Sequence, residues 1–430
     1  MQTDFVIDLK PKRKVNKTQK IDRILGIIAI TTIVIAWFVG AAQSKASVEP
    51  FLHQALPQAA RIEKASGENY AAYAADGTLL GYLAIGEANG YGGPMQVAVA
   101  TDLQGNVIGL SVVEDRETPS WYTRVMETDF VDTLFGKNYT DAFELSKDVD
   151  GITGATYTSR ALADAVRRGS TQVAGSQLGL PVAVESTPPI QFGIPEMVLI
   201  GLFAVGYFGH KRSFKYTKQV RWLSMITGLV VLGFIYNSPL TIAYISKFLL
   251  GFWPVWQTHL YWYLLLGGIL LVFTVDNKNP YCEWFCPFGA AQECMGVIGG
   301  AKSRTPQKYR NLFKWSQRGL AWLAIVLALL FRNPGLTSYE IFGTLFDLSG
   351  SVFQIALLAL VMLAALFIKR PWCSFLCPLH PVEEFIRMVR SWIKELWQTL
   401  KPKRNPNPSP QPNPQPNPQV QPVQSEKATA

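Results

Sequence analysis

The chain has 430 residues, 49% of them hydrophobic, with 12 Trp and a formal net charge of +9. Because the apolar residues gather in long runs, this composition excludes an ordinary soluble multidomain protein and points to a membrane protein. The basic residues cluster beside those runs, so they are read as fixing orientation and not as a nucleic-acid surface.

Hydropathy predicts about six transmembrane helices: Ile24–Ala42, Ile194–Gly209, Trp222–Tyr236, Thr258–Val275, Gly319–Phe331 and Val352–Ile368. Some are shorter than the ~20 residues a crossing needs, so their ends must extend into amphipathic flanks. Seven Lys/Arg precede the first span (Lys10, Lys12, Arg13, Lys14, Lys17, Lys20, Arg23), and five lie between the second and third. Seven more fall between the fourth and fifth, whereas the short loops on the other side hold one each, Lys247 and Arg332. This bias predicts cytoplasmic termini, with residues 1–23 a basic cytoplasmic segment. The first run has a second reading as a signal peptide, with Ala41-Ala42-Gln43-Ser44-Lys45-Ala46 as the cleavage site. Its 19 apolar residues exceed the usual ~7–15-residue signal core, and a retained anchor over residues 24–42 is expected.

Residues 44–192 then form one extracytoplasmic domain of α+β class, inserted after the first span of an otherwise all-α membrane protein. Tyr82–Gly86 and Met95–Asp102 read as strands, Leu103-Gln104-Gly105-Asn106 as a turn, and Val107–Val113 as the returning strand of a hairpin. Gly90-Tyr91-Gly92-Gly93-Pro94 precedes that hairpin, and Glu117-Thr118-Pro119 follows it. Farther on, Asp150-Gly151-Ile152-Thr153-Gly154-Ala155-Thr156-Tyr157-Thr158-Ser159 packs hydroxyl residues around Gly154 and Ala155 and runs into a helix. Such a turn lets backbone approach closely and offers free helix N–H groups to a phosphate. A Thr/Ser helix cap needing no ligand is the plainer reading. Pro-bearing Gly179–Pro195 is a linker into the membrane region of residues 194–369.

Pro280-Tyr281-Cys282-Glu283-Trp284-Phe285-Cys286-Pro287 recurs as Pro371-Trp372-Cys373-Ser374-Phe375-Leu376-Cys377-Pro378. Two spans separate the copies, so both emerge on one face, the cytoplasmic one. Four thiols can then converge as the usual shell of a [4Fe–4S] cluster. A Cys₄ zinc site needs the same ligand count, and reduced thiols at helix ends are the empty alternative. Cys294 has no counterpart in the second copy and is read as structural. Haem is disfavoured, because His210 and His259 fall at opposite ends of inward-running spans, and His380 could serve at most as an auxiliary ligand. Residues 370–400 hold the second motif and an amphipathic segment, and 401–430 a Pro/Asn/Gln tail expected to be disordered.

The order Asp-Gly-x-Thr-Gly-Ala-Thr-x-Thr resembles the flavinylation site of FMN-binding domains, as in the C subunit of sodium-pumping NADH:quinone reductase and the G subunit of Rnf complexes. The resemblance implies covalent FMN, its phosphate esterified by a flavin transferase to Thr156, with Thr158 the fallback. It also implies that Asp150, Thr153, Gly154 and Ala155 shape the attachment turn, and that Gly92, Gly93, Glu117 and Thr118 line the isoalloxazine. Ser120-Trp121 departs from the Gly-Leu-Gly that often follows the Pro. Joined to a polytopic membrane region and paired Cys-x-x-x-Cys-Pro motifs, this domain resembles the NosR/NirI family. The absence of a C-terminal Cys-rich ferredoxin repeat makes the shorter PceC-like form the nearer resemblance.

That resemblance implies a membrane electron-transfer flavoprotein, serving a respiratory reductase or its maturation system, with Cys282, Cys286, Cys373 and Cys377 holding the cluster. A redox-sensing regulator or assembly factor is the alternative. A hydrocarbon core of ~30 Å would separate the two centres, so a third carrier, a bound quinone or a partner subunit, is expected to bridge them.

Overall fold

A computed structural model describes residues 17–43, 47–152, 155–183, 187–211, 215–302, 309–335, 339–348 and 350–400. The motif positions Thr153 and Gly154, part of the proposed cleavage site, several basic loop residues and the tail 401–430 lie outside the described residues. Two compact units are present, Met1–Phe385 and Ile386–Ala430. In the second, the described residues are the end of the helix Leu379–Leu400, with Ile393, Leu396 and Trp397 exposed.

Within the first unit, five strands form one antiparallel sheet in sequence order: β1 (Arg61–Lys64), β2 (Tyr70–Tyr73), β3 (Leu79–Asn89), β4 (Pro94–Thr101) and β5 (Val107–Glu114). The expected hairpin is β4–β5, with Ala98 opposite Ser111. Its turn is set locally, since Asp102 Oδ1 accepts the N–H groups of Gln104 at 2.9 Å and Asn106 at 2.7 Å, while Gly105 takes φ +87°. The expected strand Tyr82–Gly86 is the middle of the longer β3.

Both faces of β4 are covered, which explains its nearly unbroken apolar run. Val97 and Val99 pack with Leu162 and Val166 of the helix Thr156–Ser176, and Ala98 and Ala100 pack on the other face with Leu52 and Leu56. Period-two alternation thus sorts large residues to one side and small ones to the other. The helix lies unusually close to β3 at Gly86, where a Cβ would fall 1.9 Å from the Ala165 carbonyl oxygen. Only glycine permits that approach.

Two helices among the described residues are long and apolar enough to cross a bilayer, Ile21–Gln43 and Thr217–Ile235. Ile194–Gly209, Leu260–Asp276 and Val352–Ala365 are apolar but shorter, and the expected fifth span, Gly319–Phe331, covers the second half of Arg310–Leu330 and its C-cap. Six crossings are therefore more than these lengths establish. Ile21–Gln43 and Arg310–Leu330 run side by side in one direction: Asp22 meets Arg318 at 3.4 Å near one end, and a Cβ on Gly40 would fall 2.1 Å from the Leu329 carbonyl oxygen near the other.

The sheet domain is seated at that second end. Arg116 Nε donates to the Arg332 carbonyl at 3.0 Å, and Asn333 Nδ2 donates to the Asp115 carbonyl at 3.4 Å. Lys247, buried on the short helix Ile242–Leu250, donates from Nζ to the carbonyls of Gly90 at 2.8 Å and Tyr91 at 2.9 Å.

Candidate functional site: a hydroxyl-bearing pocket above a four-thiol core

The pocket is built at the joint between sheet domain and helical region. One wall comes from Tyr91, Thr118, Trp121, Ala155, Thr156 and Thr158, the other from Asn237, Pro239, Thr241, Glu340, Asp347 and Gln354. Ala155 is the N-cap of the helix Thr156–Ser176 and makes no side-chain capping bond. A Thr/Ser cap is thus not formed at the N-cap position, which Ala155 occupies. Thr158 is buried and donates to Glu117 Oε2 at 2.6 Å, whereas Thr156 is exposed and faces the pocket.

Glu117 sits behind the pocket wall. Its Oε1 accepts the Gly92 N–H at 3.2 Å, and burial raises its carboxyl above the ordinary range, against the lowering effect of the Thr158 and Gly92 hydrogen bonds and the Lys247 charge. Burial likewise pushes the Lys247 ammonium down to about 8, opposed by Glu117. A Cβ on Gly92 would fall 1.6 Å from the Arg116 carbonyl oxygen, so the loop fits only as glycine. Gly93 packs against Arg116 and Phe252, and Asp150 is exposed and away from the pocket lining.

Trp121, at the point where the chain departs from the Gly-Leu-Gly pattern, is itself a pocket wall and stands edge-on to Tyr91 at 5.1 Å. Free helix N–H groups, an exposed hydroxyl and flanking aromatic rings form a cradle that fits a phosphorylated aromatic ligand.

The two cysteine repeats dock against each other. Arg370 Nη1 donates to the Cys282 carbonyl at 2.7 Å; Gln292 accepts the Trp372 N–H at 2.9 Å and points Nε2 at Cys373 Sγ at 3.5 Å. In both copies the second Cys precedes a Pro and leads into a helix, Pro287–Ile298 or Leu379–Leu400. All four thiols are held up by burial, Cys373 to about 11, and each lies within electrostatic reach of others in the set. Donors already face the sulfurs: Asn279 Nδ2 reaches Cys282 Sγ at 3.2 Å, and the Gly289 and Phe288 N–H groups face Cys286. Thiols that are half-buried or, at Cys377, buried, with donors facing them, suit a metal that takes them as thiolates. No three His, Cys, Asp or Glu among the described residues converge on a single ion.

Comparison with known sequences agrees with both halves of this arrangement. Residues 90–170 match the FMN-binding domain family, and residues 258–306 and 350–397 match a 4Fe-4S binding domain. Protein NirI of Paracoccus denitrificans is 30% identical over 177 residues, covering 38% of this chain and 26% of NirI. The chain thus resembles a NosR/NirI-type flavoprotein. The G subunit of the proton-translocating ferredoxin:NAD(+) oxidoreductase complex of Clostridium ljungdahlii is 31% identical over 121 residues, 26% of this flavoprotein and 64% of its relative. The G subunit of the ion-translocating oxidoreductase complex of Escherichia coli is 30% identical over 122 residues, 26% of the flavoprotein and 59% of its relative. The flavoprotein thus spans about a quarter of NirI and under two thirds of these two relatives.

The expected ~30 Å gap between the two centres is not what the residues form. Asn237, Pro239 and Thr241 line the pocket, and Leu240 between them donates its N–H to the Tyr281 hydroxyl at 2.8 Å. On the same wall, Tyr339, next to Glu340, donates its hydroxyl to the Leu376 carbonyl at 3.1 Å. Both cysteine motifs are therefore tied to the loops that line the pocket. Sequence reasoning missed Lys247, Glu340 and Tyr281 as contributors; a lone Lys and a lone Glu in otherwise apolar loops were the available signals.

Proposed function

We propose that this NosR/NirI-like chain is a membrane-bound electron-transfer component. FMN is esterified through its phosphate to Thr156 by a flavin transferase, and one [4Fe–4S] cluster is held by Cys282, Cys286, Cys373 and Cys377. The exposed Thr156 hydroxyl at a helix N-terminus, beside a Thr158 hydroxyl already committed to Glu117, is the observation that carries the flavin assignment. Flavin and cluster, when bound, supply one-electron chemistry. Trp121 and Tyr91 flank the flavin ring, the helix N–H groups hold its phosphate, and Asn279, Gln292 and the backbone N–H groups temper charge on the thiolates.

Six spans, tilted or extended by amphipathic flanks, place both termini in the cytoplasm and the FMN domain outside it, as the Lys/Arg bias favours. The partner is a membrane or extracytoplasmic reductase or its maturation system, in line with the redox-complex subunits that this chain resembles. Iron per protein after anaerobic purification tests the thiol assignment. Cys282→Ala or Cys377→Ala should each eliminate most of the iron, the double variant should lose no more, and Cys294→Ala should leave iron nearly unchanged. Half the iron remaining in each single variant would mean two separate centres.

A further inference from the structure

The two centres of the proposed function lie close enough for a direct link. Resting on that function, we infer that the loop Asn237–Thr241 and Tyr281 bridge the flavin pocket and the thiol core, so that electrons pass between them inside this chain without a quinone.

The bridge is continuous. Pro239 and Thr241 face the pocket, Leu240 N–H donates to the Tyr281 hydroxyl at 2.8 Å, and Tyr281 is bonded to Cys282 while its hydroxyl faces Cys286. From the same loop, the Ser238 carbonyl accepts the Tyr261 hydroxyl at 3.0 Å. A second series of contacts runs beside the first: Tyr91 of the pocket stands edge-on to Tyr244 at 5.5 Å, Tyr244 stacks on Trp262 at 3.4 Å, and Trp262 meets Tyr261 at 5.3 Å. Tyr244, Trp262, Tyr261 and Tyr281 are all buried. A diffusible carrier is required where a gap separates two centres; here hydrogen bonds and ring contacts fill it.

Each passage moves one electron: the iron–sulfur centre is oxidised by one and the flavin reduced by one, with charge on the flavin balanced by a proton from solvent. The opposite direction reverses each term.

The test uses full-length protein in detergent, stripped of quinone, with electrons delivered by a deazaflavin flash. Wild-type protein should show first-order redistribution between flavin and iron–sulfur absorbance, at a rate independent of protein concentration. Tyr281→Leu should slow it roughly tenfold or more at unchanged flavin and iron content, a barrier increase of about 1.4 kcal/mol. In cofactor-free protein, Tyr281→Phe should speed hydrogen exchange at the Leu240 amide. Redistribution that appears only after a quinone is added, or a Leu240 amide indifferent to Tyr281→Phe, would overturn the bridge. If Tyr281→Leu loses iron, the quinone-stripped wild type decides alone. Wild-type protein lacking flavin or iron would overturn the electron-transfer function itself.

Discussion

Thr158 donates its hydroxyl to Glu117 Oε2 at 2.6 Å across 41 positions of sequence, and both residues are buried. The bond ties the first turn of the helix Thr156–Ser176 to the loop after β5, and it decides which hydroxyl of the motif is available. Thr156→Ala should therefore abolish covalent flavin, read as in-gel fluorescence of denatured protein. Thr158→Ala should keep the fluorescence but cost about 1–3 kcal/mol of stability, since buried Glu117 loses a donor. Fluorescence surviving in Thr156→Ala and vanishing in Thr158→Ala would reverse the assignment.

Lys247 carries a pH dependence whose sign follows from burial. Its ammonium titrates at 10.5 when unfolded and at about 8 when folded, so its contribution to stability is present above the higher value and is lost as pH falls toward the lower. Detergent-purified protein should consequently lose apparent thermal stability between those two values on going down in pH. Lys247→Met should flatten that slope while loosening the Gly90–Tyr91 loop that the ammonium holds. Equal slopes in both proteins would show that Lys247 is not desolvated as its contacts imply.

Orientation is tested by fusions. A reporter active only outside the cytoplasm should score positive near Asn138 and negative after Leu400. The opposite pattern would overturn the placement drawn from the charge bias.

Local features were the legible ones. Val97 to Ala100 with the Asp102–Asn106 turn announced the β4–β5 hairpin, because alternation and turn chemistry act over a few residues. The Cys repeats were equally plain, being self-similar over eight positions. What escaped were contacts made between distant segments: Lys247 to Gly90 spans 157 positions, Glu340 to the Ile242 N–H spans 98, and Tyr281 to Leu240 spans 41. No pattern in the sequence encodes such pairings. The link between the first cysteine motif and the pocket loop escaped for the same reason, since hydropathy gives span order but not which loops meet. The Thr158–Glu117 bond, across 41 positions, escaped in the same way.

The most direct test of the central claim, one flavin and one iron–sulfur centre in a single chain, is a combined optical and EPR redox titration of the anaerobically purified full-length protein, with flavin, iron and sulfide quantified on the same sample. The account predicts one covalent flavin, four iron and four sulfide per chain, and two separable redox transitions. Stoichiometric zinc in place of iron, or a chain without bound flavin, would contradict it.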